Sequence, residues 1–382
     1  MNVGIVYRLG TILLVIALTG AAIYLARPRE FLLTYCSTGA FLAALLGMAW
    51  FKESGPRNSF LVLASISVIT SLLDPITYLA DRPKGETEGS WNSTYHYHWD
   101  AELGIALPAN VVATSRKVAD SKVVYDVSYT TDGNGHRKTL GSTDPAADSV
   151  VFVGGSDIFG EGVQDSETLP QQFSDLTGRK YNVANFGVST FGIHQPLRSM
   201  ELGQLEPAMT GSKRYVVYVG IPGHAQRARG LRGPSYELQP DGSVKYLGQT
   251  QSAWEVFAVA IANRSLFLRT FIVIPTMSGL SDDAAPLYVA LVKRAGEVAR
   301  EKYQAKFIVI FWDDPPDQLG AQIMALFDKV KISYVRLSTV LPDLRRDYGK
   351  YTLSDDGHPS ALADRLIAQY LARHLDDIPP QP

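Results

Sequence analysis

Short apolar runs alternate with longer amphipathic ones from residue 148 onward, and this alternation restricts the fold more than any other feature of the chain. Strand-like runs occur at 149–153, 181–185, 215–220, 306–311 and 333–337. Between them lie helical patterns at Thr168–Thr177, Gln195–Leu205, Pro286–Tyr303 and Gln318–Lys329, and a last one at Ser360–Leu375. Strands such as "VVFV" and "YVVYV" carry no polar alternation, so both of their faces must be covered. That predicts an α/β fold with a parallel sheet between two helical layers. In such sheets, reactive groups gather where strands end at their carboxyl side.

The start of the chain follows another rule. Three apolar runs, Leu9–Ala26, Phe31–Phe51 and Phe60–Ala80, are separated by "RPRE" and "KESGPRN". Each is long enough to cross a hydrocarbon core of about 30 Å as a helix. A signal peptide accounts for the first run alone, not for two more directly behind it. The prediction is a membrane anchor of three helices over residues 1–82, with the lipid bilayer as a partner. Asp74 and Pro75 interrupt the third. An acid there is either functional or a helix-end group reaching the interface. Arg8, Lys52 and Arg57 on one side against Arg27 and Arg29 on the other slightly favour an N-terminus inside, which sends the C-terminal body to the outer face.

Residues 83–147 read as a linker and a small β-rich segment, with "KVVYDVSYTTDGNGHRKTL" as a hairpin around its Gly/Asn/Asp turn. Residues 148–382 form the main domain. His96, His98 and Asp100 resemble a ligand cluster, but aromatic–polar alternation of this kind reads as a strand, and no metal or cofactor is expected. Cys36 is the single cysteine and lies in an apolar run, so neither an intrachain disulfide nor a cysteine metal site can form. With 36 basic and 38 acidic side chains, the net charge of −2 provides no field for nucleic acid.

The chemistry concentrates in "VVFVGGSDIFGEGV", residues 150–163. A strand that breaks into a glycine turn and then a helix lifts a side chain clear of the sheet and aims backbone N–H groups beside it. A phosphate loop would need a Lys after the glycines, and the spacing fits neither the dinucleotide fingerprint nor the G-x-S-x-G elbow. Ser156 is left as a nucleophile in need of a base. "SDDGHPSALADRLIA" supplies His358 before a helix start, with Asp355 and Asp356 as alternative acids to orient it. Gly187 after the second strand can offer a backbone N–H to an oxyanion, together with that of Ser156, and His224 is the candidate third donor. Arg227 and Arg229 are candidates for an acidic sugar, His194 for the cleft wall, and Trp312 with Asp313 for the groove border. Glu161 reads as a cap of the turn.

"FVGGSDIFGEGVQDSETLP", "NFGVSTFG" and "SDDGHP" occur in the order of the motif blocks of the SGNH (GDSL-type) hydrolase superfamily, which residues from about 148 to 370 resemble. The resemblance implies a flavodoxin-like three-layer sheet, Ser156 as nucleophile, Gly187 as oxyanion donor, and Asp355 as the acid three positions before His358. Two departures stand out. Gly155 occupies the place of the usual Asp, and "GIPGH" offers Pro222 and Gly223 where an Asn is usual.

The soluble part is also similar to membrane-attached members found with exopolysaccharide assembly. This implies a bacterial inner-membrane protein with a periplasmic body that acts on acyl esters, O-acetyl above all, of a glycan, with polysaccharide-assembly proteins as partners. Hydrolysis, transfer of the acyl group to a sugar, and a decayed glycan-binding or scaffold role remain open.

Overall fold

The computed structural model describes residues 32–51, 54–80, 90–94, 96–228, 233–249, 265–268, 271, 284–314 and 317–381. The chain divides into two compact units, residues 1–86 with 252–279, and residues 87–251 with 280–382. Residues 252–279, which fall inside the expected 148–382 domain, thus group with the first unit. The expected span Leu9–Ala26 lies outside the described residues.

In the first unit, α1 (Leu32–Trp50) and α2 (Ser54–Ser71) pack together, and α3 (Leu73–Ala80) follows a turn at Leu72. One helical stretch, Ser54–Thr77, is long and apolar enough to cross a membrane; Leu33–Met48 is apolar but shorter. Gly55, Pro56 and Arg57, expected in a surface turn, instead form the first turn of α2. Proline is tolerated there because the first helical N–H groups have no intrahelical acceptor. Pro75 likewise sits in the first turn of α3. Asp74 does not reach outward as a helix-end acid would. It is fully buried, and it accepts hydrogen bonds from Thr34 N–H (3.2 Å), Ser265 Oγ (2.6 Å) and Phe267 N–H (3.0 Å).

The second unit is α/β. Its sheet contains β6 (Ser149–Gly154), β7 (Asn182–Gly187), β8 (Arg214–Gly220), β11 (Lys306–Phe311) and β12 (Tyr334–Arg336), all parallel, in the order β12-β11-β8-β6-β7. Counted along the chain, this is 2-1-3-4-5. The chain leaves β6 to one side for β7 and crosses to the other side for β8, so a switch point lies beside β6. Period-two alternation sends Val151, Val153, Val216 and Tyr218 into one core with α6 (His194–Glu201), α8 (Ala284–Tyr303) and α9 (Gln318–Lys329). Val150, Phe152, Val217 and Val219 enter the other with α5 (Leu169–Leu176) and α10 (Ala361–His374). Each fully buried Val, Ile or Phe contributes about 1.5–3 kcal/mol.

Residues 87–147 belong to this unit. β4 (Val112–Ala119) pairs with β5 (Lys122–Thr130), and β1 (Ser90–Ser93) joins β4. The β4–β5 connection is not the expected Gly/Asn/Asp turn. It is Asp120–Ser121, both at positive φ (49° and 61°), which suits the twist of a two-residue hairpin. The "DGNG" stretch makes a second reversal, closed by Asp132 N–H to His136 O (2.8 Å). His98–Asp100 is strand β2, paired with β3 (Gly104–Ala106), and Asp100 caps the following turn by accepting from Glu102 and Leu103 N–H. Leu103, Leu107, Tyr125, Val127 and Tyr129 form a third core with Phe159, Val188 and Phe191. The segment expected as a linker therefore packs against the turn that carries Ser156.

Candidate active site

Ser156 opens α4 (Ser156–Phe159), a single helical turn at the end of β6. Gly155 O accepts from Ile158 and Phe159 N–H (3.2 and 3.0 Å), and Ser156 O accepts from Gly160 and Glu161 N–H (2.9 and 3.1 Å). The backbone closes the turn without the serine side chain. Among the described residues the hydroxyl makes no hydrogen bond, and the residue is 3% exposed.

Gly155 is dictated by space. A Cβ there would lie 2.8 Å from Phe191 O, 2.9 Å from His224 Nε2 and 3.2 Å from Arg227 Nη1. The volume that an Asp side chain would take before the serine is filled by a neutral histidine and an arginine.

His358 sits on a loop tied at both ends, with Leu353 N–H bonded to His358 O (2.8 Å) and Ser360 N–H to Tyr351 O (2.9 Å). Its Nδ1 contacts Asp356 Oδ1, and its Nε2 lies 3.8 Å from Glu161 Oε2. Glu161 belongs to the Ser156 turn through its N–H, so the imidazole reaches that turn. The partner is Asp356, not the Asp355 implied by the usual spacing. Asp355 is exposed, with φ at 55°, and only its carbonyl is engaged. Burial opposes ionisation of Asp356, but hydrogen bonds from His358 and Lys117 outweigh it and hold its pKa at about 2. Burial likewise lowers the His358 pKa, yet the Asp356 bond and the charges of Glu161 and Asp157 raise it above the ordinary value.

Gly187 does not present a free N–H. That group donates to Asn185 Oδ1 (2.9 Å), while Asn185 Nδ2 donates to Ile158 O (2.8 Å). A Cβ at 187 would lie 2.2 Å from Phe159 N. The glycine is there so that α4 can rest on β7, and the oxyanion role expected of it is replaced by packing.

His224 lies on α7 (Pro222–Ala228), fully buried. Its Nδ1 is 2.7 Å from Tyr218 Oη, which is 3.2 Å from Tyr288 Oη, and its Nε2 is 3.9 Å from Asp157 Oδ2. Burial, with Arg227 and His194 nearby, pushes its pKa well below 6.5 and keeps the ring neutral. It is shut off from solvent and stands against Gly155 and Asp157 of the serine turn. Asp157, next to the serine, is also buried; burial raises its pKa, partly offset by His358 and Arg227.

Arg227 is half-buried and donates from Nη1 to Phe191 O (2.9 Å), which holds its charge beside Gly155. Arg229 lies outside the described residues. His194 is buried against Gly192, with Nδ1 2.9 Å from the position of a Cβ there. Trp312 is buried, edge-on to Tyr348 at 6.3 Å between ring centroids. Asp313 is structural, since it accepts from Ser338 N–H (2.8 Å) and Oγ (2.5 Å).

Three contributors were not among the expected site residues. Lys117 on β4 donates to Asp356 Oδ2 (2.7 Å) and Asp355 O (2.9 Å). Asn185 latches α4 to β7. Arg137, fully buried, donates to Phe159, Gly160 and Val163 carbonyls (3.0 Å each) and to Asp165 Oδ1 (2.8 Å). Alternation around "GNGHRK" marked a turn there but gave no sign that its arginine would enter the core.

No family model and no curated protein matches the sequence. Among solved structures, the chain is similar to esterase B from Lactobacillus rhamnosis inhibited with a C4-C4 SN3 tributyrin phosphonate. The identity is 13%, over 84% of this chain and 97% of that one, with a TM-score of 0.27. At that score the likeness carries no argument about mechanism.

Proposed function

We propose that this chain is a membrane-anchored serine ester hydrolase of the SGNH type. Ser156 attacks the acyl carbonyl, His358 takes its proton through Nε2, and Asp356 fixes the imidazole through Nδ1. The Ser156 N–H and the Arg227 guanidinium stabilise the oxyanion, in place of Gly187 and His224. Water then releases the acyl group from the acyl-enzyme.

The observation that carries this reading is the His358 contact pair: Asp356 on Nδ1, and Glu161 of the serine's own turn on the Nε2 side. The strand order 2-1-3-4-5 supports the SGNH assignment, as does the place of "GGSD" at the end of β6. An O-acylated glycan as substrate rests on the motif resemblance, and membrane anchoring on the apolar helix Ser54–Thr77. Acyl transfer to a sugar hydroxyl is a second reading, favoured by the 3% exposure of Ser156, because a shielded acyl-enzyme excludes water.

The test uses the full chain in detergent with p-nitrophenyl acetate. Wild type should release p-nitrophenol, and Ser156→Ala and His358→Ala should lose activity by at least about 10³-fold. Equal background rates from all three would replace the enzyme by a glycan-binding or scaffold protein.

A further inference from the structure

We propose that Lys117, on the hairpin outside the α/β sheet, is a positioning residue of the catalytic loop, which it clamps through Asp356 and the carbonyl of Asp355. This rests on the reading of His358 as the base. The ammonium spans 2.7 Å to Asp356 Oδ2 and 2.9 Å to Asp355 O, across 239 and 238 positions of sequence. Its side chain is 27% exposed and that of Asp356 is 6% exposed, so the pair is shielded far more than a surface ion pair.

The two oxygens of Asp356 are thereby divided, Oδ1 to His358 and Oδ2 to Lys117. A carboxylate held at both oxygens cannot rotate, and neither can the ring it orients. Fixing Asp355 O as well stiffens the turn at the residue whose φ is 55°. Such outer partners set the orientation and basicity of the group they hold.

There is also an electrostatic consequence. The groups facing His358 are Asp356 from its own loop, and Glu161 and Asp157 from the serine turn, all acidic. Their negative charge favours the imidazolium, the form that cannot take a proton. Lys117 reaches this cluster from the hairpin and offsets part of that charge. β4 is therefore part of the active site, and an isolated sheet domain would lack it.

The experiment compares Lys117→Met, Lys117→Gln and Lys117→Arg in the full chain, by kcat and by the pH profile of kcat/KM for p-nitrophenyl acetate. Loss of the cation favours the imidazolium, so the acid limb should move to higher pH in Lys117→Met. Its kcat at neutral pH should fall about tenfold. Lys117→Gln keeps a donor without the charge and should show the same shift. Lys117→Arg should return the limb towards its wild-type position. An acid limb unchanged in both neutral variants, whether or not kcat falls, overturns the proposal and leaves the hydrolase reading standing. Inactivity of wild type relative to Ser156→Ala overturns the hydrolase reading instead. Should the neutral variants fail to fold, the His358 ring titrated by NMR in Lys117→Arg and wild type decides: a limb set by charge predicts matching titrations, and a clear difference overturns it.

Discussion

The two units of this protein place their apolar side chains in opposite ways. In the α/β unit Phe152, Ile308 and Phe311 of the sheet are 0% exposed. In the helical unit Leu61, Val62, Ile66 and Ile69 are 53–65% exposed, while Ala44, Ala64, Ser67, Thr77 and Asp74 are buried. Small residues let α1 and α2 approach closely; a Cβ on Gly47 would lie 2.5 Å from the Phe60 ring. Small and polar inside with large and apolar outside is how helices pack where the solvent is hydrocarbon. Leucine, valine and isoleucine thus serve as core in one unit and stand on the surface of the other.

Buried carboxylates sharpen the contrast. Asp74 is met by three neutral donors, and Asp356 by a histidine and a lysine. Neutral donors satisfy an acid and make an anchor point. Charged and titratable partners instead tie Asp356 to the hairpin and to its own loop.

The largest expected effect separates the two neighbouring acids of the His358 loop. Asp356→Asn should lower kcat by up to about 10⁴-fold, close to 5 kcal/mol, since it removes the group that fixes the imidazole tautomer. Asp355→Asn should stay within about twofold. Steady-state rates on p-nitrophenyl acetate distinguish them, and the reverse ranking would return the acid role to Asp355.

Next in size is Arg137→Met. Its guanidinium serves three carbonyls of the serine turn and packs on Tyr129 and Phe159 at 4.3 and 4.7 Å. Breaking this buried network should cost about 3–5 kcal/mol, visible as a lower unfolding midpoint together with lost activity. Stability unchanged from wild type would mean that the hairpin does not brace the turn.

Asp74→Ala should cost less, about 1–3 kcal/mol, by leaving the Ser265 and Phe267 donors unpaired. It should lower the thermal midpoint in detergent and leave kcat alone. A fall in kcat without a fall in stability would break the division of labour between the units.

The smallest effect concerns pH. The Glu161 carboxylate lies 3.8 Å from His358 Nε2, with both side chains partly exposed. Removing this negative charge in Glu161→Gln disfavours the imidazolium. The His358 pKa therefore falls, and the acid limb of kcat/KM moves to lower pH. The shift should be under about one unit because solvent screens the pair. A limb that moves upward would show that Glu161 does not face the base.

Much of the sheet was legible. Runs at 149–153, 215–220 and 306–311 became β6, β8 and β11, and Gln318–Lys329 became a helix with those bounds. The hairpin of β9 (Pro234–Leu238) and β10 (Val244–Gln249) is not among the expected strands, although "SYELQPDGSVKYL" carries its signal of aromatic alternation around Pro-Asp-Gly. The site was legible in part. Ser156 and His358 stood out because a strand-end serine and a pre-helix histidine have local patterns. Lys117 has none, and the patterns around Asn185 and Arg137 pointed to Gly187 and to a turn.

By itself the sequence determined where the central strands of the sheet and the Gln318–Lys329 helix fall, that a serine follows the first strand of the sheet, and that an apolar stretch opens the chain. All of these follow from periodicity and turn chemistry within a few residues. Only the tertiary structure decided which aspartate meets His358, what fills the space beside Gly155, and where the Gly187 N–H is used. The first and third depend on side-chain geometry between residues two positions apart, and the second on segments that only folding brings together. A hydrogen bond between positions 117 and 356 is created by packing and leaves no trace in local order.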